Sequence, residues 1–94
     1  MPSEFEAIRA ASQETLVNFL KSDLDLASTF IRTAHNACDA ARYFAAKKNA
    51  INAADSVRRF MGTVVDGLTR AEIGTRLAEL DRSIAALDPP STNI

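Results

Sequence analysis

The stretch RTAHNACDAARYF, residues 32–44, decides how this chain folds, because the pattern of apolar residues changes phase across it. One stripe leads into the stretch at alternating intervals of three and four residues: Leu24, Ala27, Ile31, Ala34, Cys38 and Ala41. A second stripe leads out of it in a different heptad phase: Tyr43, Lys47, Ala50, Ala54, Val57, Met61, Val64 and Leu68. Because a phase shift of about two residues rotates a helix face by roughly 200°, one straight helix cannot point both stripes at one partner.

Two residues of this stretch suit a chain reversal. Asn36 tolerates the left-handed conformation that often ends a helix, and Asp39 belongs to the residue types preferred at a helix N-cap. We therefore predict a turn near residues 36–39. Two long uninterrupted helices are the alternative, since no residue in the stretch forbids helix.

The rest of the chain also favours helix. No Gly or Pro occurs between Ser3 and Met61, whereas strands and hairpins need turn residues at short intervals. Alanine, the best helix former, occurs 17 times. The prediction is an all-α fold: an up-and-down antiparallel bundle of three to four helices, formed by residues 1–88 as one domain, with a loose tail at 89–94.

Local signals suggest where the helices begin and end. Three pairs have capping spacing and predict helix starts: Ser3 with Glu6, Ser22 with Asp25, and Thr69 with Glu72. Gly67 is the predicted end of the third helix, and Asp88-Pro89-Pro90 stops the last one. The last helix has a stripe of its own: Ile73, Leu77, Leu80, Ile84 and Leu87. Gly62, inside the third helix, predicts either a kink or a close contact.

Composition limits the classes of function. The chain has 94 residues, of which 47% are hydrophobic and 24% charged, and its net charge is −1. This balance predicts a single small domain that attracts neither nucleic acid nor a membrane surface. The single cysteine favours a reducing cytoplasm. The N-terminus lacks the pattern of a signal peptide, and no segment has the apolar length of a membrane span.

The many alanines predict close helix axes and a thin core, because alanine buries little area per residue. Pairing with a second copy would add the apolar burial that the core lacks. We therefore expect self-association, with a homodimer as its simplest form.

Residues 32–44 also hold the only His, Cys and Tyr of the chain. The simplest interpretation is structural: Cys38 is a small buried hydrophobe on the apolar stripe, and His35 lies at the edge of that stripe. A metal site is an alternative, since His35 and Cys38 share a helix face at a spacing of three. Two ligands are too few for structural zinc, so this alternative needs a symmetric dimer.

The segment RTAHNACDAARYFAA resembles the active helix of histidine phosphotransfer domains. These are all-α bundles of similar size that carry a phosphoryl group on a helix-borne imidazole. The resemblance implies phosphotransfer through His35. The lysine and glycine that usually follow the family's histidine by three and four residues are replaced here by Cys38 and Asp39. A carboxylate at that place would repel a phosphoryl dianion.

Residues 23–87 resemble a tetratricopeptide-type helical hairpin followed by a capping helix, a pattern shared with short uncharacterised bacterial proteins. Four residues would line its first helix: Leu24, Ala27, Ile31 and Ala34. Four alanines would be the small crossing residues of its second: Ala46, Ala50, Ala53 and Ala54. The resemblance implies an interaction or assembly module of unknown protein partner.

No arrangement of residues predicts an enzyme, a catalytic residue, a cofactor or a metal. The basic residues of the third predicted helix are interrupted by Asp55 and Asp66 and are expected to form a solvated face. We expect a non-enzymatic interaction module. Its candidate partner-binding residues lie beside the predicted turn, where aromatic and arginine side chains cluster: His35, Arg42, Tyr43 and Phe44.

Overall fold

A computed structural model describes the backbone of residues 4–90 and the side chains of residues 12–90. The described chain forms three α-helices, α1 (Glu4–His35), α2 (Ala40–Phe60) and α3 (Gly67–Ala85), with one turn of 3₁₀ helix at Met61–Thr63. The all-α fold class is therefore confirmed. No strand occurs in residues 4–90.

The predicted helix start at Ser22 is wrong, because α1 runs through it without a break. A residue type that favours a helix cap acts as one only where tertiary packing allows the helix to end. Leu20, Leu24 and Ala27 are all fully buried, so continuous packing holds the helix together across Ser22. The capping box of Ser3 and Glu6 lies outside the described residues and side chains.

The predicted turn at residues 36–39 is confirmed. Asp39 is the N-cap of α2, with φ −129° and ψ 155°, and its Oδ1 accepts a hydrogen bond of 2.8 Å from the Arg42 N–H. Asn36 does not adopt the left-handed conformation that it tolerates, since none of the described non-glycine residues has a positive φ. The end of α1 is closed instead by the Ala37 N–H, which donates to the Ala34 carbonyl.

The boundary between α2 and α3 differs from the prediction. Helix α2 ends at Phe60, and Gly67 is the first residue of α3 rather than the end of its predecessor. The N-cap of α3 is Asp66, so the predicted capping box of Thr69 and Glu72 is wrong. Asp66 is extended and accepts hydrogen bonds from both the N–H and the hydroxyl of Thr69, which places Thr69 inside the first turn. These bonds, the hydroxyl's first, hold the pKa of the Asp66 carboxyl below its usual value.

The three helices form an up-down-up bundle. Helix α1 packs along α2, and α3 returns along both. The main core combines residues of all three helices with Val64 of the connection between α2 and α3: Leu20, Leu24, Ala27, Ala53, Ala54, Val57, Val64, Ile73, Leu77 and Leu80. A second cluster near the turn joins Ala34, Tyr43, Ala46 and Leu87. Of the side chains in residues 12–90, six buried alanines line the seam of α1 and α2, as the alanine-rich pattern predicts: Ala27, Ala34, Ala46, Ala50, Ala53 and Ala54.

Two ion pairs tie α3 to its neighbours. Arg76 Nη2 lies 2.8 Å from Asp25 Oδ1 of α1, and Arg58 Nη2 of α2 lies 2.7 Å from both carboxylate oxygens of Asp81. The hydrogen bond to Asp81 is the main reason that the pKa of Arg58 is raised above its ordinary value. None of the helices in residues 4–90 is both long enough and apolar enough to cross a bilayer.

The glycines have different surroundings. A Cβ added at Gly62 would meet no atom within 4 Å, so Gly62 does not mark a close contact. It lies in the 3₁₀ turn that follows α2. The close contact is at Gly74 of α3, where an added Cβ would lie 3.3 Å from the terminal methyl of Met61.

Candidate interaction surfaces

The four predicted partner-binding residues meet at the turn end of the bundle, but they do not share one surface. His35, the last residue of α1, is exposed, as are Arg42 and Phe44 near the start of α2. Phe44 retains 58% of its exposure. Tyr43 retains only 1%, because it points inward between the helices. His35, Arg42 and Phe44 are therefore accessible to a partner, whereas Tyr43 is part of the core.

Tyr43 is the centre of the small core cluster at this end. Its ring packs edge-on against that of Phe44, with centroids 5.0 Å apart, and the Lys47 ammonium lies 5.8 Å from its centroid. The phenolic oxygen is buried and finds no hydrogen-bond partner in the described part of the chain. An unsatisfied buried hydroxyl is costly, so Tyr43 contributes apolar area at the expense of its polar group.

Cys38 is exposed, so its predicted role as a buried hydrophobe is wrong. The stripe that would bury it belongs to α1, and α1 ends at His35, three residues earlier. His35 and Cys38 consequently do not share a helix face, which removes the basis of a site at helical spacing. Among residues 12–90, no group of three or more His, Cys, Asp and Glu side chains is placed to hold a metal ion.

The end of α1 at His35 also changes the surroundings of the imidazole. His35 ends a helix, whereas the resemblance to phosphotransfer domains places a histidine within one. Asp39 lies in the turn, where its carboxylate caps α2 and pairs with Arg42 at 3.6 Å. The imidazole is accessible, and the nearest described charges in sequence are the Arg32 and Arg42 cations and the Asp39 carboxylate.

A groove lies at the opposite end, between α1 and the connection from α2 to α3. Its volume is about 630 Å³, and its apolar lining comes from Val17, Val64 and Val65. Gln13 holds the connection in place by hydrogen bonds to its backbone. Just beyond the groove, Leu68 is exposed to 78%. Leu68 belongs to the predicted apolar stripe, but the chain leaves α2 before reaching it.

A further apolar surface lies along α1, and the sequence reasoning missed it. Phe19 and Leu26 keep 48% and 47% of their exposure, and Phe60 of α2 keeps 40%. The rings of Phe19 and Phe60 meet edge-on, with centroids 6.4 Å apart. The signal was present as a second heptad pattern on α1, offset from the core stripe and carried partly by serine and threonine.

Two arginines of the expected solvated basic face form ion pairs in the structure. Arg58 binds Asp55 as well as Asp81, and Arg42 pairs with Asp39. These pairs neutralise charge where a patch for phosphates would need it free.

Comparison with known proteins gave no match. No family model matches the chain, and no curated protein or solved structure matches it either. The two family resemblances therefore stay predictions.

Proposed function

We propose that this chain is a non-enzymatic helical interaction and assembly module that acts through protein contacts, including contacts with itself. One observation carries the proposal. Among residues 12–90, seven large apolar side chains remain 39–78% exposed: Phe19, Leu26, Phe44, Ile51, Phe60, Val65 and Leu68. Apolar residues concentrated on the surface of a small domain are typical of interaction sites.

The thin core supports the same proposal. Six alanines of residues 12–90 fill the seam between α1 and α2, and each contributes far less buried area than a leucine would. A second surface that covers Phe19, Leu26 and Phe60 would supplement this burial. Self-association is therefore expected to stabilise the fold of each copy as well as to form the assembly.

Sedimentation velocity over a dilution series tests self-association. Because an interface of modest size gives micromolar affinity, the range should extend from about 5 to 500 µM. We expect a mass above the monomer value of 10.2 kDa that falls on dilution. A mass of 10.2 kDa at every concentration would rule out self-association in this range. The wider proposal would then depend on partners retained from native extract by the wild-type chain but not by a Phe19→Glu variant.

Phosphotransfer through His35 is the second candidate, and the exposure of the imidazole is the observation in its favour. Two features weigh against it. Cys38 replaces the lysine that usually follows the family's histidine by three residues, and the carboxylate of Asp39 would repel a phosphoryl group. Acid-labile phosphate taken up from a phosphorylated receiver domain, and lost in His35→Gln, would replace our proposal with this one. No uptake by the wild-type chain would leave the interaction module as the sole candidate.

A further inference from the structure

Between Thr15 and Thr33, one exposed face of α1 carries no charge. Six exposed residues recur along it at strictly alternating intervals of four and three, and we call them the uncharged face: Thr15, Phe19, Ser22, Leu26, Thr29 and Thr33. In a chain with 24% charged residues, a solvent-facing heptad pattern of this length would ordinarily include charge. Depletion of charge around large apolar residues is characteristic of the core of a protein interface.

The uncharged face lies on the side of α1 that α3 leaves open. Asp25 pairs with Arg76 of α3, and at 100° per residue Leu26 falls on the opposite flank of the buried stripe. On α2, Arg58 pairs with α3 while Phe60 lies on the other flank and contacts Phe19. Helix α3 thus covers one side of the α1–α2 pair, and the uncharged face belongs to the other.

Two hydroxyl groups of this face, those of Thr29 and Thr33, can lose water at little cost. Thr29 Oγ1 donates to the Asp25 carbonyl at 3.1 Å, and Thr33 Oγ1 donates to the Thr29 carbonyl at 3.0 Å. Both hydroxyl groups already donate a hydrogen bond inside the helix, so a surface that covers them would leave neither donor without a partner. These threonines therefore behave as small, nearly apolar residues toward a partner.

We propose that the uncharged face of α1 packs antiparallel against the same face of a second copy of this chain. This inference rests on the proposed function and deepens it by assigning the self-association surface. The partner is a second copy because the pattern is self-complementary. If a two-fold axis passes between Ser22 and Leu26, each layer of the interface pairs one residue from each copy, and the two residue numbers sum to 48. Leu26 meets Ser22 of the partner subunit, and Phe19 meets Thr29 of the partner subunit.

Antiparallel pairing gives layers of even width, since each central layer combines one large and one small residue. Parallel pairing would set Phe19 against its own copy and Ser22 against its own copy, so wide and narrow layers would alternate. The antiparallel arrangement also opposes the two helix dipoles favourably. Because the face is uncharged, neither copy would bury an unpaired ion.

The available area makes this a weak, reversible dimer. From Thr15 to Thr33 the face runs about 27 Å at 1.5 Å per residue. With the adjoining part of α2 the pair is about 20 Å wide, so the footprint is on the order of 500 Å² per copy, below the roughly 800 Å² of a standard interface. We expect a dissociation constant in the micromolar range.

Charge substitution tests which surface is used. Leu26→Glu places two carboxylates near the two-fold axis, and we expect the dimer constant to weaken at least about 100-fold. Ala78→Glu is the matched control, since Ala78 is an exposed apolar residue of α3, the helix that covers the other side of the α1–α2 pair. It should dimerise like the wild type. Circular dichroism should show unchanged helix content in both variants.

Cysteine cross-linking tests the direction of pairing. In a Cys38→Ser background, Thr15→Cys/Thr33→Cys brings the thiol at position 15 of one copy against the thiol at position 33 of the other only when the copies are antiparallel. Within one helix they are 18 residues apart, about 27 Å, too far for an internal disulfide. Under mild oxidation the double variant should form a covalent dimer, and each single variant should stay largely monomeric. Efficient cross-linking of the single variants would show parallel pairing and overturn the proposal.

The failures can be told apart. If the wild type dimerises and Ala78→Glu abolishes it while Leu26→Glu does not, the interface assignment is wrong and the assembly function stands. If the wild type is monomeric throughout and no cross-link forms, the self-pairing is wrong. The interaction function would then depend on the Phe19→Glu comparison with native extract alone.

Discussion

Gln13 and Val65 lie 52 residues apart in the chain, yet Gln13 Oε1 accepts a hydrogen bond of 3.0 Å from the Val65 N–H. The same side chain donates through Nε2 to the Thr63 carbonyl at 3.1 Å. One amide thus uses its donor and its acceptor on the backbone of a single connection. This contact sets the position of the segment that turns the chain from α2 into α3.

Gln13→Ala should lower the free energy of unfolding by about 1–3 kcal/mol, because it removes two hydrogen bonds of about 0.5–1.5 kcal/mol each. Urea titration measures the loss. Asn18→Ala is the matched control, since it deletes an amide from the same groove without these backbone contacts. Equal losses in the two variants would show that the contacts of Gln13 with the connection do not stabilise the fold.

Tyr43→Phe should leave the free energy of unfolding unchanged or raise it by up to about 1 kcal/mol, because it removes a buried hydroxyl that lacks a partner. Tyr43→Ala, which removes the ring as well, should cost about 3 kcal/mol or more. Thermal and urea unfolding of the three proteins give the comparison. A loss above about 1 kcal/mol in Tyr43→Phe would mean that the hydroxyl is bonded in solution.

The Asp66 cap should make stability depend on acid pH. Its pKa is lowered in the folded chain, so its stabilising effect is complete above the ordinary carboxyl pKa, near 4, and is lost as pH falls through the lower folded pKa. Asp66→Asn keeps a capping side chain but cannot titrate. The wild type should therefore exceed Asp66→Asn in stability at neutral pH, and the gap should narrow below about pH 4. A gap that stays constant from pH 7 to about 2 would contradict this assignment.

Gly62→Ala should raise the free energy of unfolding by about 0.4–1 kcal/mol, because the alanine has open space and restricts the unfolded chain. Gly74→Ala is its counterpart inside α3, where the new methyl must displace the end of Met61. Its gain should be smaller than the helix propensity of alanine alone would give. Differential scanning calorimetry of both variants measures the contrast. A gain of about 1 kcal/mol or more at Gly74, the full helix propensity of alanine over glycine, would refute it.

Several features followed from local chemistry and were predictable. The reversal at residues 36–39 depends on Asp39, whose carboxylate reaches an N–H only three residues away. The buried stripe of α3 was also visible, since Ile73, Leu77 and Leu80 repeat at helical spacing. Such signals survive because neighbouring residues in the chain decide them.

Other features needed the assembled bundle. Ser22 looks like a helix start, but the burial of Leu20 and Leu24 on either side carries α1 past it. Asp66 outcompetes Thr69 as the cap of α3, although both residue types suit the position. Competition between equally good local signals is settled by packing, which a single sequence does not display.

The candidate site divides in the same way. The sequence brought His35, Arg42, Tyr43 and Phe44 together at the turn, and they do lie at one end of the bundle. Only the tertiary structure decided that Tyr43 faces the core, that Cys38 faces solvent, and that Phe19 and Leu26 stay uncovered. By itself the sequence determined helix, reversal and apolar spacing, because these depend on residues within a few turns of each other. Which of two stripes on one helix is buried depends on where α2 and α3 lie, and α3 is placed by contacts between residues some fifty positions apart.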